Sequence, residues 1–483
     1  MECSSSSGNE ITKIAIVGGG VSSLLILEAL KKRLLNLNVK PNIILFEKSD
    51  VLGRGVAYRS KLKSLILNTA INTMSVCEDD HLDFQKWLQE KMHSDKVLTE
   101  IPRGVYGEYL EERMSICLKN LKNIGCKIQT IKTTVEKITI SGKYTLNFSG
   151  KIETCDICII ATGGEVSIPD NIDNSTKDKI LNIFDEEKIA KIKKDSRVAI
   201  LGSGQSAIDA CLILESYKLH SHYTLVSRNG ILPRVKSNII HTHTSNVFSN
   251  INMKNIQLPL LCKIMSDAIK WKMNKIETTP EIPASFRSME IDLKRASRTF
   301  PSWQRIMNSI TPYINEIWFY RTDVEKRNFT DKWYKKLYFL RSAIMPESAM
   351  KFLEIYNSGR LGMMWGNYKL VSKDDKFQIS MDNSLLSFDY IINTTGIKSY
   401  SHLRILEDEI IANNISLNSQ MGLKIDFNSM RVENGQGITH NGLYSIGYPT
   451  QGSVLIANSV ELLRQKAIKI AKCISYDLYK GQL

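Results

Sequence analysis

The sequence predicts an α/β protein built from two Rossmann-like, three-layer dinucleotide-binding domains with a helical insertion. Three observations carry this expectation. The apolar run Ile14–Val17 enters the turn Gly18-Gly19-Gly20-Val21-Ser22-Ser23. A second run, Val198–Leu201, enters Gly202-Ser203-Gly204-Gln205-Ser206-Ala207. Each turn then opens an apolar-periodic helix followed by another short apolar run. Glycines let the backbone approach a pyrophosphate, and the helix N-terminus offers free N–H donors and partial positive charge. One such turn is a weak signal; two in this context predict two nucleotide cofactors.

Composition agrees with a multidomain globular chain. At 483 residues it exceeds what one core usually supports. Hydrophobic residues make up 43% and charged residues 24%. No run approaches the ~18 apolar residues of a membrane span, so no membrane partner is expected. Met1–Glu10 is Ser-rich and acidic, which reads as a flexible tail rather than a signal peptide, and the expected location is cytoplasmic. Nine cysteines at irregular spacing read as free thiols. Cys155 and Cys158 have C-x-x-C spacing, but on one continuous strand they point to opposite faces. The net charge of +14 comes from scattered lysines without an aromatic-interleaved patch, which argues against a nucleic-acid partner. His241-Thr242-His243 lies in a polar stretch without nearby Cys or carboxylate, so no metal is expected.

Along the chain, strand Lys13–Val17, a helix from Val21 to about Leu34 and strand Asn42–Phe46 form the first β-α-β unit. It ends at Glu47-Lys48, where a carboxylate can accept both ribose hydroxyls and repel a 2′-phosphate. Ser23 occupies the usual third small position. A helix opens at Pro102-Arg103 and runs to about Leu121, and residues 127–150 read as an antiparallel ribbon. Asp156–Gly164 reads as a strand entering a tight turn that contains Thr162 and Gly163. The second unit begins at Arg197, and its second strand, Tyr223–Val226, ends in Ser227-Arg228. A hydroxyl and a guanidinium suit a 2′-phosphate and hence NADPH. Residues 236–345 read as a helical, aromatic insertion over the substrate, containing Trp271, Trp303, Trp318 and Trp333, most of them core. The run Phe388–Gly396, with Thr395-Gly396, echoes 156–163 and is read as the return to the first domain. The last unit is Leu443–Gly447, followed by a helix from about Ser453 to Tyr476. Domain limits follow: 11–190 with 386–483, 191–235 with 346–385, and 236–345, after a tail of 1–10.

With these pieces in order, the chain resembles the FAD–NAD(P)-binding flavoproteins that carry Gly-Arg-Gly-Val-Ala-Tyr after the second strand. The resemblance rests on Gly18–Ser23, Gly53–Tyr58, Leu67–Ser75, Pro102–Leu110, Gly202–Ala207, Ser227–Arg234 and Asn393–Gly396. More distantly it is similar to flavin-dependent monooxygenases that hydroxylate the side-chain nitrogen of ornithine or lysine. Leu340-Arg341-Ser342-Ala343-Ile344-Met345-Pro346 departs from the family's Arg-His-Arg-like cluster, keeping one arginine and no histidine. The family's C-terminal Gly-Asp is Gly447-Tyr448 here, which leaves backbone amides or Gln451 to hold the ribityl chain.

The resemblance implies FAD on the first unit, NADPH on the second and O₂ as co-substrate. It implies hydroxylation of an amine of a small, amino-acid-like metabolite, free or carrier-tethered, through a flavin C4a-hydroperoxide. It places Gly18 to Ser23, Glu47, Lys48, Gly53, Arg54, Asn68, Arg103, Thr162, Gly163, Gly447 and Gln451 around FAD. Gly202 to Ser206, Ser227, Arg228, Thr395 and Gly396 fall to the nucleotide sites. Asn68 and Thr69 are the expected catalytic neighbours of the flavin, with a turn bonding its own backbone as the alternative for Asn68. Arg54 faces FAD phosphate or adenine, or forms a surface salt bridge. Lys398 and Tyr400 are candidates for the substrate mouth. Two alternatives stay open: an NADPH-dependent flavin oxidoreductase that inserts no oxygen, and a non-catalytic nucleotide-binding module. A homo-oligomer is equally open.

Overall fold

A computed structural model of the chain describes residues 11–93, 100–166, 174–219, 221–237, 239, 285–382, 384–398 and 401–480. The tail 1–10, Trp271, His241, His243 and Tyr400 lie outside these residues.

Two parallel sheets organise the chain. The first runs in the order Arg431–Glu433, Thr439–Ser445, Ile157–Ile160, Lys13–Val17, Asn42–Glu47, Lys127–Lys132. All of its neighbours are parallel except the first pair. The second sheet is wholly parallel: Leu361–Trp365, His222–Ser227, Arg197–Leu201, Tyr390–Asn393, Ile180–Asn182. The central strands Lys13–Val17, Ile157–Ile160 and Arg197–Leu201 are near-continuous buried apolar runs, as strands covered on both faces require, whereas the edge strand Lys127–Lys132 is largely exposed.

The two units repeat one plan. Strand, glycine turn, helix and strand are followed by a long insertion, a crossover helix, an edge strand, an antiparallel meander and a returning strand. In the first unit the crossover helix is Arg103–Asn123, and the meander is Lys137–Ser141, Lys143–Phe148 and Lys151–Cys155. In the second they are Pro346–Asn357, then Tyr368–Lys373, Lys376–Met381 and Ser384–Phe388. The insertions, 48–102 and 228–345, occupy the same topological position in both units. The helix Val21–Leu34 is apolar nearly all round, with Ser23 through Leu30 all buried. It packs against the helices Arg103–Asn123 and Val460–Lys480.

Several expectations change. Tyr390–Asn393 pairs with Arg197–Leu201, so the echo of residues 156–163 belongs to the second unit and not to the first. Ile180–Asn182 joins that sheet as well. The limits expected at 190 and 386 therefore move, because strand pairing, which sequence does not display, assigns both segments. Residues 127–132 form the edge strand of the first sheet rather than half of a ribbon. Cys155 ends the meander, Asp156 breaks the strand, and Cys158 is the second residue of the next strand, Ile157–Ile160. The chain is not one strand there, and both thiols are buried and free.

The helical insertion docks on the first unit. Trp303, Met307, Ile310, Ile317, Trp318 and Phe329 form a core with Leu455, Ile456 and Leu462. Trp318 Nε1 donates to the Gly452 carbonyl at 2.7 Å, and Asn315 exchanges two hydrogen bonds with the Ile456 backbone. That clamp holds 452–456 out of helix, so the C-terminal helix begins at Val460 rather than at 453.

Candidate functional site

The site grows from the first glycine turn. Gly18 has φ +109°, and a Cβ there would sit 2.3 Å from the Ala161 carbonyl oxygen, so only glycine fits. Its N–H donates to the Phe46 carbonyl at 2.8 Å, which brings the first strand's exit beside the second's. At Gly20 an added Cβ would meet Gly55 Cα at 3.4 Å, so the 53–58 segment roofs the turn. Glu47 accepts the Gly19 N–H at 2.7 Å through Oε2 and the Ser49 N–H at 2.8 Å through Oε1. Ser23 is buried and its hydroxyl donates to the Gly18 carbonyl.

This turn opens into a cavity of about 1340 Å³ that continues past Asn68 and Thr69 and under the helical insertion. It ends at Gln205 and Ser206, the first residues of the second dinucleotide helix. Thr162 Oγ1 lines it, buried and without a hydrogen-bond partner among the described residues. A backbone cradle that a side chain would fill, together with an orphaned hydroxyl, fits a dinucleotide bound along this wall.

The middle of the cavity is charged. Lys236 Nζ donates to the Asn68 carbonyl, and Asn68 Oδ1 accepts the Met345 N–H at 3.3 Å. Burial, then the neighbouring Arg341, holds the Lys236 ammonium down at about 8. Burial also lowers Arg341 and raises Glu461, and both line the same space.

The second turn repeats the first turn's backbone. Gly202 has φ +123° and its N–H donates to Val226 at 2.8 Å. Gly204 precedes its helix at φ −85°, ψ −165°, against −84° and −163° for Gly20. At the next strand end Ser227 Oγ accepts the Gly230 N–H at 2.8 Å, and Arg228 is exposed with no hydrogen bond in the protein among the described residues. A free guanidinium at that strand end fits a phosphorylated ribose.

The residues expected around the cofactors thus divide. Gly18, Gly19, Gly20, Val21, Ser22, Glu47, Lys48, Arg54, Asn68, Thr69, Arg103, Thr162, Gly163, Gln205, Ser206 and Gly447 line one cavity. Ser23 and Gly53 do not: Ser23 packs inward, and Gly53 abuts the Leu110 backbone while donating to Gly19. Gln451 is not among the lining residues; its carbonyl accepts from Asn418 at 2.8 Å. Gly202, Ser203, Gly204, Ser227 and Arg228 form the separate second cradle. Thr395 bonds Asn393 beyond the second sheet, and Gly396 follows it there. Lys398 pairs its backbone with Glu165.

Arg54 is consumed by Glu111 at 2.6 Å, and Arg103 makes two hydrogen bonds to Asp209, at 2.7 and 3.0 Å. Arg103 therefore ties the two units together. Sequence reasoning missed Lys236 and Glu461 as lining residues. Nothing in their local patterns marks them, since separate elements bring them in.

Residues 15–165 match the family model described as FAD-NAD(P)-binding. Over this stretch the chain is an FAD-NAD(P)-binding domain. A search of the curated proteins gives no match. Among solved structures, it is similar to the ornithine hydroxylase of Pseudomonas aeruginosa in its reduced form, at 13% identity and TM-score 0.62, covering 98% of this chain and 100% of that one. The ornithine N-hydroxylase of Kutzneria sp. 744, solved with reduced FAD, NADP⁺ and L-ornithine, follows at 12% identity and TM-score 0.56, with 98% and 100% covered. The bacillithiol disulfide reductase of Staphylococcus aureus shares the fold at 12% identity and TM-score 0.52, with 97% and 98% covered. At these identities the likeness is one of fold.

Proposed function

We propose that this protein is an FAD-dependent, NADPH-consuming monooxygenase that hydroxylates a small metabolite at an amine nitrogen. One observation carries the reading: a single cavity runs from the first glycine turn, past Asn68, to the start of the second dinucleotide helix. When bound, FAD supplies the two-electron transfer from NADPH to O₂. The amides of Gly18–Gly20 and the helix behind them hold its pyrophosphate, and Glu47 takes the ribose hydroxyls. Asn68 and Thr69 offer an amide and a hydroxyl to the flavin edge. Asn68 is fixed for this by Met345 and Lys236, its two partners from the other unit. The helical insertion shields the reacting atoms from water, and no acid–base pair is required. The ornithine N-hydroxylases that share this fold support the choice of an amine.

A second reading, an NADPH-dependent oxidoreductase that inserts no oxygen, draws support from the disulfide reductase of the same fold. None of the described cysteines lines the cavity, which speaks against a dithiol relay there. The deciding experiment incubates the FAD-loaded protein with NADPH, O₂ and a panel of amino acids and polyamines. A product heavier by one oxygen atom supports the monooxygenase. NADPH consumption that yields only hydrogen peroxide, with no oxygenated product, supports the second reading.

A further inference from the structure

We infer that Arg341, flanked by Lys236, recognises a carboxylate of the substrate, so that the cavity takes an amino acid and rejects a polyamine. The inference rests on the amine-hydroxylating reading above. Arg341 ends the helix Lys335–Arg341 and lines the cavity. Arg54 and Arg103, which line it too, are consumed by Glu111 and Asp209. Arg59 and Arg404 are exposed at its rim. Arg341 alone in this group is partly buried and makes neither a hydrogen bond nor an ion pair among the described residues.

A guanidinium withdrawn from water is costly unless a ligand or a side chain satisfies its donors. Lys236 lines the same cavity close enough to Arg341 that the guanidinium, after burial, helps hold its ammonium down, and it spends only one of its donors on Asn68. Two such cations repel a polyamine and attract a carboxylate, which a guanidinium binds through paired charged hydrogen bonds. Glu461 faces the same space within electrostatic reach of Arg341, with no ion-pair partner of its own among the described residues. It complements the ammonium of a zwitterion. Tyr334, Tyr338 and Tyr448 complete the surroundings of Arg341.

The test is calorimetric binding to the oxidised, FAD-loaded protein. The probes are the proteinogenic α-amino acids and ornithine, each set against its decarboxylated amine. The expected result is that at least one amino acid binds and that its amine binds on the order of 100-fold more weakly. Arg341→Gln lowers the amino-acid affinity by about the same factor and Arg341→Lys by less, with FAD content, flavin absorbance and NADP⁺ affinity unchanged. Lys236→Met, the second variant, weakens binding about 10-fold. Equal binding of acid and amine, no binding by any probe, or wild-type affinity in Arg341→Gln overturns the inference. Loss of FAD or NADP⁺ affinity in Arg341→Gln also overturns it, by assigning the guanidinium to a cofactor. Arg341-dependent binding without any oxygen gained by the ligand upholds this inference and removes the monooxygenase reading.

Discussion

The two glycine turns share one backbone and differ in everything laid over it. Gly18 and Gly202 take φ +109° and +123°, and both donate to the neighbouring strand at 2.8 Å. Above the first turn, however, Gly53 donates to Gly19 at 2.7 Å, Gly55 packs on Gly20, and Glu47 grips the Gly19 amide. Above the second, a Cβ on Gly204 would meet nothing within 4 Å, and Arg228 stands exposed. A roofed cradle suits a resident cofactor, and an open one suits a cofactor that enters and leaves each cycle, as the proposed division between FAD and NADPH requires. The shared fingerprint sets the shape of the turn, and the insertion after the second strand sets whether that turn is covered or open.

The sharpest break in this comparison comes from adding one methyl group to each turn. In Gly18→Ala the new Cβ meets a backbone carbonyl at 2.3 Å, whereas in Gly202→Ala it meets the Thr394 hydroxyl at 2.6 Å. Backbone cannot retreat, so Gly18→Ala should cost more than about 4 kcal/mol and Gly202→Ala about 2. Urea denaturation monitored with FAD retention checks this; equal losses would mean that the turns are equivalent.

The next largest effect lies between the units. Asp209→Asn leaves the partly buried Arg103 guanidinium without its paired carboxylate and should destabilise the protein by about 3 kcal/mol. A double-mutant cycle with Arg103→Met should show coupling; additive losses would show that the bridge does not join the units.

Strand-end chemistry comes third. Glu47→Ala should weaken FAD retention on the order of 10- to 100-fold, because it removes both the ribose acceptor and the lock on Gly19. Arg228→Gln should raise the KM for NADPH about 10-fold and leave that for NADH unchanged. A loss with both nucleotides would reassign the guanidinium.

The last effect is a pH slope, small over any single pH unit. Lys466 is buried in the first unit, its ammonium donates to the Ile456 carbonyl at 3.0 Å, and burial pushes it from 10.5 down to about 7. Between those values the unfolded chain holds more protons, so stability should rise with pH, by roughly 1 kcal/mol per pH unit. Below about 7 the penalty is fully present. Lys466→Met should flatten the slope in denaturation curves collected from pH 7 to 10; an unchanged slope would place the titration elsewhere.

The sequence by itself determined the two turns, their strands and their helices, because glycine at forced positive φ and apolar runs are local properties. It determined Glu47 and Arg228 as opposite choices at equivalent strand ends for the same reason. Tertiary structure alone decided that Tyr390–Asn393 and Ile180–Asn182 belong to the second sheet, since pairing partners lie far apart in the chain. It alone turned Arg54 and Arg103 into structural ties, kept Gln451 out of the cavity lining, and left Arg341 without a hydrogen-bond or ion-pair partner among the described residues. A charged side chain's role is settled by what is packed beside it, and that neighbour is written nowhere near it in the sequence.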